Sequence, residues 1–218
     1  MKAFLFSDLH VSYKQLSNLK LYLLENKDID LLICAGDIVN AGEPVGFMET
    51  FIEVINELGK PFIWVPGNND FGRAYYKLQA RYPSLEGRVM EFPSQTKNQK
   101  LTTKLTGVGG SPASWAGQYA GQSLIDKKSI AGSIFISHIP PPGVHNYIKS
   151  DCHSPTAKKL SDSPLVHICG HIHHQWGCAY LGSTKIIKLA ALEYGQYAIL
   201  KMETLDVEFK KFPTASKF

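Results

Sequence analysis

Ala3-Phe4-Leu5-Phe6-Ser7-Asp8-Leu9-His10 decides the fold class, because four apolar residues run directly into a carboxylate and an imidazole two positions apart. A short apolar run that ends abruptly in polar residues reads as a buried strand. Side chains alternate along an extended chain, so Asp8 and His10 are expected to share a face. The pattern recurs. Leu31-Leu32-Ile33-Cys34-Ala35 ends in Gly36-Asp37, and Pro61-Phe62-Ile63-Trp64-Val65 ends in Pro66-Gly67-Asn68-Asn69-Asp70. Between these runs lie helical spacings, Leu16, Leu19, Leu23 and Leu24, then Phe47, Phe51, Ile52 and Ile55. Such alternation predicts parallel strands with helices packed on the sheet, and in open sheets of this kind ligands bind beyond the carboxyl ends of the strands.

Further along, Arg88 to Phe92 and Lys100 to Val108 read as a hairpin around a polar turn near Ser94 to Asn98. Gly107 to Gly121, rich in Gly, Ser and Ala around Trp115 and Tyr119, reads as a loop. Ser133 to Ile136 is another buried strand, ending in Ser137-His138 before three prolines that forbid a helix. A helix is expected near Thr156 to Leu160. Leu165 to Cys169 then leads into Gly170-His171-Ile172-His173-His174. By the same alternation His171 and His173 point one way, and two imidazoles behind a glycine can grip a metal. A lone His-x-His is more often a polar strand end; here three other runs end in oxygen or nitrogen donors. The chain closes with Cys178 to Leu181, Lys185 to Ala190, Tyr197 to Met202 and Val207 to Phe212, expected as a run of antiparallel strands.

Composition sets the outer limits. With 218 residues and 44% hydrophobic content the chain suits one domain, 1–218, with a sizeable core. A net charge of +4, scattered along the chain, gives no nucleic-acid footprint, although it suits an anionic substrate. The four cysteines lack Cys-x-x-Cys spacing, and Cys34 and Cys169 sit in apolar runs where thiols pack as small hydrophobes, so a reducing, cytoplasmic setting is expected. No run approaches a membrane span, and no secretory leader is expected before Asp8.

Asp8-x-His10, Gly36-Asp37, Gly67-Asn68, His138 and Gly170-His171-x-His173, in that order and each at a strand end, resemble the calcineurin-like metallophosphoesterase superfamily. Each piece is unspecific alone; the ordered set spans most of the chain. The resemblance implies an α/β fold, a four-layer αββα sandwich of two mixed sheets flanked by helices. It also implies two divalent transition-metal ions, Mn²⁺ first, with Fe, Zn²⁺, Ni²⁺ or Co²⁺ as alternatives. Asp8, His10 and His173 would hold one ion, Asn68, His138 and His171 the other, and Asp37 would bridge them. The chemistry is consistent, since two adjacent cations need a shared anionic ligand. The activity implied is hydrolysis of a phosphodiester or phosphomonoester by a metal-bridging hydroxide, on a small or nucleotide-like phosphorylated substrate.

Two other classes compete: a nuclease, which would want a basic stripe or an added DNA-binding unit, and a scaffold of the same fold, which would be expected to lose metal ligands. One departure from the family stands out. Where a histidine usually follows the metal-binding asparagine and serves the leaving oxygen, this chain has Asn69, which can polarise but cannot give up a proton. His153 is the candidate substitute donor. His167 reads as packed or on the surface, and His145 and His174 as solvated or on a rim. Cys152 reads as an ordinary loop thiol. Asp70 is expected to cap the helix that follows, contributing about 1 kcal/mol.

Overall fold

A computed structural model describes residues 1–41, 45–96, 99–110, 130–141 and 163–213 of the chain. The first half builds β1 (Lys2–Phe6), α1 (Tyr13–Glu25), β2 (Leu31–Cys34), α2 (Val45–Leu58), β3 (Phe62–Trp64) and α3 (Gly72–Arg81). The second half adds β4 (Val89–Thr96), β5 (Gln99–Val108), β6 (Ile134–Ser137), β7 (Val166–Cys169), β8 (Gly177–Leu181), β9 (Thr184–Lys188), β10 (Gln196–Lys201) and β11 (Asp206–Lys211). They form two mixed sheets, β11-β10-β1-β2-β3 and β4-β5-β6-β7-β9-β8.

The period of two along each strand explains why both faces of the first sheet are dry. In β1 and β2, Phe4, Phe6, Leu32 and Cys34 face outward onto Leu16, Leu19 and Leu23 of α1, Phe47 and Phe51 of α2, and Leu78 of α3. Leu5, Ile33 and Ile63 face inward and meet Leu105, Ile134, Ile136, Val166 and Ile168 of the second sheet. Strands covered on both faces need continuous apolar runs rather than alternating ones, which is how β1 and β2 read. The fold is therefore the expected α/β sandwich of two mixed sheets with flanking helices. α1, α2 and α3 all lie on the first sheet; the helix expected near Thr156 to Leu160 and the loop around Trp115 fall outside the described residues.

The closing strands depart from expectation. They do not form one antiparallel run: β8 and β9 pair antiparallel on the second sheet, with β9 parallel to β7, while β10 and β11 pair on the first. Residues 189–195 cross from one sheet to the other, and on the way the Leu192 and Glu193 amides donate to the carbonyls of Ser7 (2.8 Å) and Asp8 (3.1 Å). The crossing thus covers the end of β1. Cys34 and Cys169 are buried free thiols, but Cys178 is disulfide-bonded, which gives no support to a reducing setting. Among the described residues no helix is long and apolar enough to cross a membrane.

Candidate metal centre

β1, β2 and β3 run parallel in a register that aligns Phe6 with Cys34 and Cys34 with Trp64, so their carboxyl ends share one edge. β6 and β7 do the same in the second sheet. Hydrogen bonds stitch the loops beyond them: Asp8 N–H to the Gly36 carbonyl (2.9 Å), Leu9 N–H to that of Asp37 (2.8 Å), and Gly170 N–H to that of His138 (2.9 Å). Asp8, His10, Asp37 and Asn68 arrive from the first sheet, and His138, His171 and His173 from the second.

All seven converge, though strand alternation is not what aims them. Asp8, His10, Asp37 and His171 have φ of +55°, +46°, +55° and +70°, as has Val11 at +60°. L-residues pay on the order of 1 kcal/mol or more for this region, and such strain gathers where function demands a fixed direction. Asp8 and His10 therefore meet through a tight reversal, and His171 and His173 through a turn whose two imidazoles end in different groups. Glycine makes room twice. A Cβ on Gly67 would lie 2.1 Å from Asp37 Oδ1, and one on Gly170 2.4 Å from Ser7 Oγ.

Two nitrogen and oxygen groups result. Asp8, His10 and His173 can place one donor atom each within 4.8 Å of the others, as can Asp8, Asp37 and His138. In the first, His10 Nε2 lies 3.1 Å from His173 Nε2, with Asp8 Oδ1 at 3.7 Å and 3.4 Å from them. In the second, His138 Nε2 faces Asn68 Oδ1 at 3.0 Å, His171 Nδ1 at 3.2 Å and Asp37 Oδ2 at 3.3 Å. Asp37 Oδ2 is also 3.8 Å from His10 Nε2, so it reaches both groups.

The outer hydrogen bonds fix which nitrogens carry protons. His10 Nδ1 bonds to Asn40 Oδ1 (2.8 Å), His138 Nδ1 to the Ala35 carbonyl (2.8 Å), and His173 Nδ1 to Glu193 Oε1 (2.8 Å). Each partner is an acceptor, so the neutral imidazole has Nδ1–H outward and a bare Nε2 inward. The interior then holds lone pairs facing lone pairs, and Asp8 Oδ1, fully buried, has no hydrogen-bond partner among the described residues. This arrangement is repulsive unless protons or metal cations occupy it. Divalent metal ions fit the donor set, which is nitrogen and oxygen without thiolate.

The electrostatics agree. Burial opposes charge on Asp8, yet His10 and His173 overcome it and hold the carboxyl well below its usual range. Burial likewise opposes a charged His138, but Asp37 and then Asp8 outweigh it and push its pKa up to about 9. His10 and His173 are raised as well, whereas burial and then the charge of His138 lower His171; metals compete with protons for the same nitrogen lone pairs.

Asp70 is not the helix cap expected. α3 has Phe71 at its N-cap with no side-chain hydrogen bond. Asp70 instead turns back into the centre, where Oδ1 accepts the Ile38 (2.9 Å) and Val39 (3.1 Å) amides and Oδ2 that of Gly67 (2.9 Å). It thereby ties the loop after Asp37 to the loop before Asn68. Burial, then the charge of Asp37, raise its pKa to about 6. Asp70→Asn leaves one of those amides facing an NH₂, and a loss of about tenfold or more in metal affinity or turnover is expected. A metal titration and a turnover assay showing both unchanged would mean the amide suffices.

Asn69 is also differently engaged: its backbone N–H donates to Asp37 Oδ1 and its Nδ2 to Asp37 Oδ2, each at 2.7 Å. It clamps the shared carboxylate rather than projecting away from it. His167 is packed rather than on the surface, with Nε2 2.7 Å from Ser137 Oγ and its pKa pulled down to about 3 by burial. His174 is exposed and stacks on Tyr194. His145, Cys152 and His153 lie outside the described residues. Sequence reasoning missed Asn40, Glu193 and Lys188. Asn40 and Glu193 carry no spacing signal, but Lys188 does: it is the one charge in the run Ile186 to Leu192.

Residues 1–175 match the calcineurin-like phosphoesterase family. The chain belongs to that family. The fold of this calcineurin-like phosphoesterase is similar to that of TT1561 of Thermus thermophilus (TM-score 0.65, 16% identity, covering 96% of this chain and 98% of that one). It is also similar to a dimetal phosphatase from Danio rerio (TM-score 0.56, 12% identity, 91% of each chain). A curated relative, the 3',5'-cyclic adenosine monophosphate phosphodiesterase CpdA of Haemophilus influenzae, is 36% identical over 47 residues. That match spans 22% of this chain and 17% of the relative.

Proposed function

We propose that the chain is a dinuclear metal-dependent phosphodiesterase acting on a small, nucleotide-like diester. The observation that carries this reading is the cluster of inward-facing lone pairs around Asp8 Oδ1 and His138 Nε2, with Asp37 Oδ2 in reach of both halves. Asp8, His10 and His173 would hold one ion, Asn68, His138 and His171 the second, and Asp37 both. Two such ions supply Lewis-acid stabilisation of phosphoryl oxygens and a water of lowered pKa.

The chain's own residues set the rest. Asn40, Ala35 and Glu193 hold three imidazoles in the tautomer that leaves Nε2 free. Asn69 pins both oxygens of Asp37. Asn69 cannot give up a proton to a leaving group at neutral pH. The preference for a diester is supported by the segment shared with the cyclic nucleotide phosphodiesterase, and the Danio rerio neighbour, a dimetal phosphatase, is consistent with two ions. A scaffold is disfavoured because all seven donor positions are filled.

The test is metal analysis after loading with Mn²⁺, followed by turnover of an aryl phosphodiester, an aryl phosphomonoester and a cyclic nucleotide. Two ions per chain and metal-dependent diester cleavage faster than monoester cleavage are expected. Metal uptake without turnover of any of the three would favour the scaffold instead.

A further inference from the structure

Lys188 is fully buried, the last residue of β9, opposite Cys169 in the parallel register with β7. Burying an ammonium costs several kcal/mol unless its protons find acceptors. Here Nζ donates to the carbonyls of Ile172 (2.7 Å) and Gln175 (2.9 Å). Both belong to the turn that carries His171 and His173, and Ile172 stands between them. The neighbouring carbonyl, of His173, accepts the Ala191 amide at 3.1 Å. His171 itself is held at φ +70°, a conformation that does not persist unless its surroundings impose it.

We propose that Lys188 is a positioning residue for the metal-binding turn: by gripping the carbonyls of Ile172 and Gln175 from below, it fixes the directions of His171 and His173, one for each ion. The inference rests on the two-metal reading, and it gives a sign that simpler roles do not. An ammonium near the cluster repels cations, so a role through charge alone predicts that Lys188→Met binds metal more tightly. A role in packing alone predicts a lower melting temperature of the metal-free protein with metal affinity unchanged. Positioning predicts weaker metal binding.

The experiment titrates metal-free wild type and Lys188→Met with Mn²⁺, reading free Mn²⁺ by its electron paramagnetic resonance signal. It also compares the visible spectra of the Co²⁺-loaded proteins, with circular dichroism confirming the fold. A weakening of about tenfold to a hundredfold and an altered Co²⁺ spectrum are expected for Lys188→Met. Unchanged or tighter Mn²⁺ binding overturns the proposal. Wild-type protein that takes up no metal would defeat the two-metal reading itself, a different outcome. If Lys188→Met does not fold, wild-type protein with labelled lysines decides by NMR: hydrogen exchange at the buried Nζ should slow when Zn²⁺ is added, and exchange indifferent to metal overturns the proposal.

Discussion

Asp37→Ala should lower phosphodiester turnover by about three orders of magnitude or more. Asp37 Oδ2 lies 3.8 Å from His10 Nε2 and 3.3 Å from His138 Nε2, so its removal would take away the carboxylate proposed to be shared by the two ions. Metal-ion stabilisation of the transition state is worth several kcal/mol, and each 1.36 kcal/mol is about tenfold in rate. The fold should survive, because Asp37's partners are the loop groups of Asn69 and His138 and not the inter-sheet core. Metal content and turnover measured on one preparation decide the matter. Activity above about a tenth of wild type with both ions retained would remove Asp37 from the bridging position.

Wild-type enzyme should cleave diesters with aryl leaving groups at least about a hundredfold faster than alkyl ones, since general acid assistance is typically worth about 10² to 10⁴. An aryl oxide departs without a proton, whereas an alkoxide needs one. Asn69 cannot supply it, and both of its donors among the described contacts go to Asp37. Asn69→His should therefore raise alkyl turnover more than aryl turnover, although the new side chain gives up the Nδ2 bond to Asp37. His153 remains the alternative donor in the chain. If it serves, His153→Ala should cost roughly 10² on alkyl substrates and little on aryl ones. Equal alkyl and aryl rates with the chemical step limiting, unchanged by either substitution, would dispose of the weakened-acid account.

What the sequence made legible was the order of elements and the identity of the converging donors. The apolar runs ending at Phe6, Cys34 and Trp64 are strands because both of their faces are covered, a condition that writes itself into composition. The direction of each donor was less legible. Asp8, His10 and His171 lie in the left-handed region, which no alternation rule describes and which depends on the stitched loops beyond the strands. The partition of the closing strands between sheets was hidden for a similar reason, because pairing partners are chosen by tertiary contacts. Asp70 shows the limit most clearly. Its place just before a helix matches the local signature of a cap, but the bare amides of Ile38, Val39 and Gly67 compete for the same carboxylate and win.

The donors come from both sheets, and on the proposed assignment each ion draws on both: Asp8 and His10 with His173, Asn68 with His138 and His171. Each metal is then a cross-link between the two halves of the sandwich. Ligand-linked stabilisation grows as the logarithm of metal concentration over Kd, about 4 kcal/mol at a thousandfold excess, and here it acts on the joint between the sheets. Metal loading should therefore slow amide hydrogen exchange at the edge where the two sheets meet more than elsewhere in the fold.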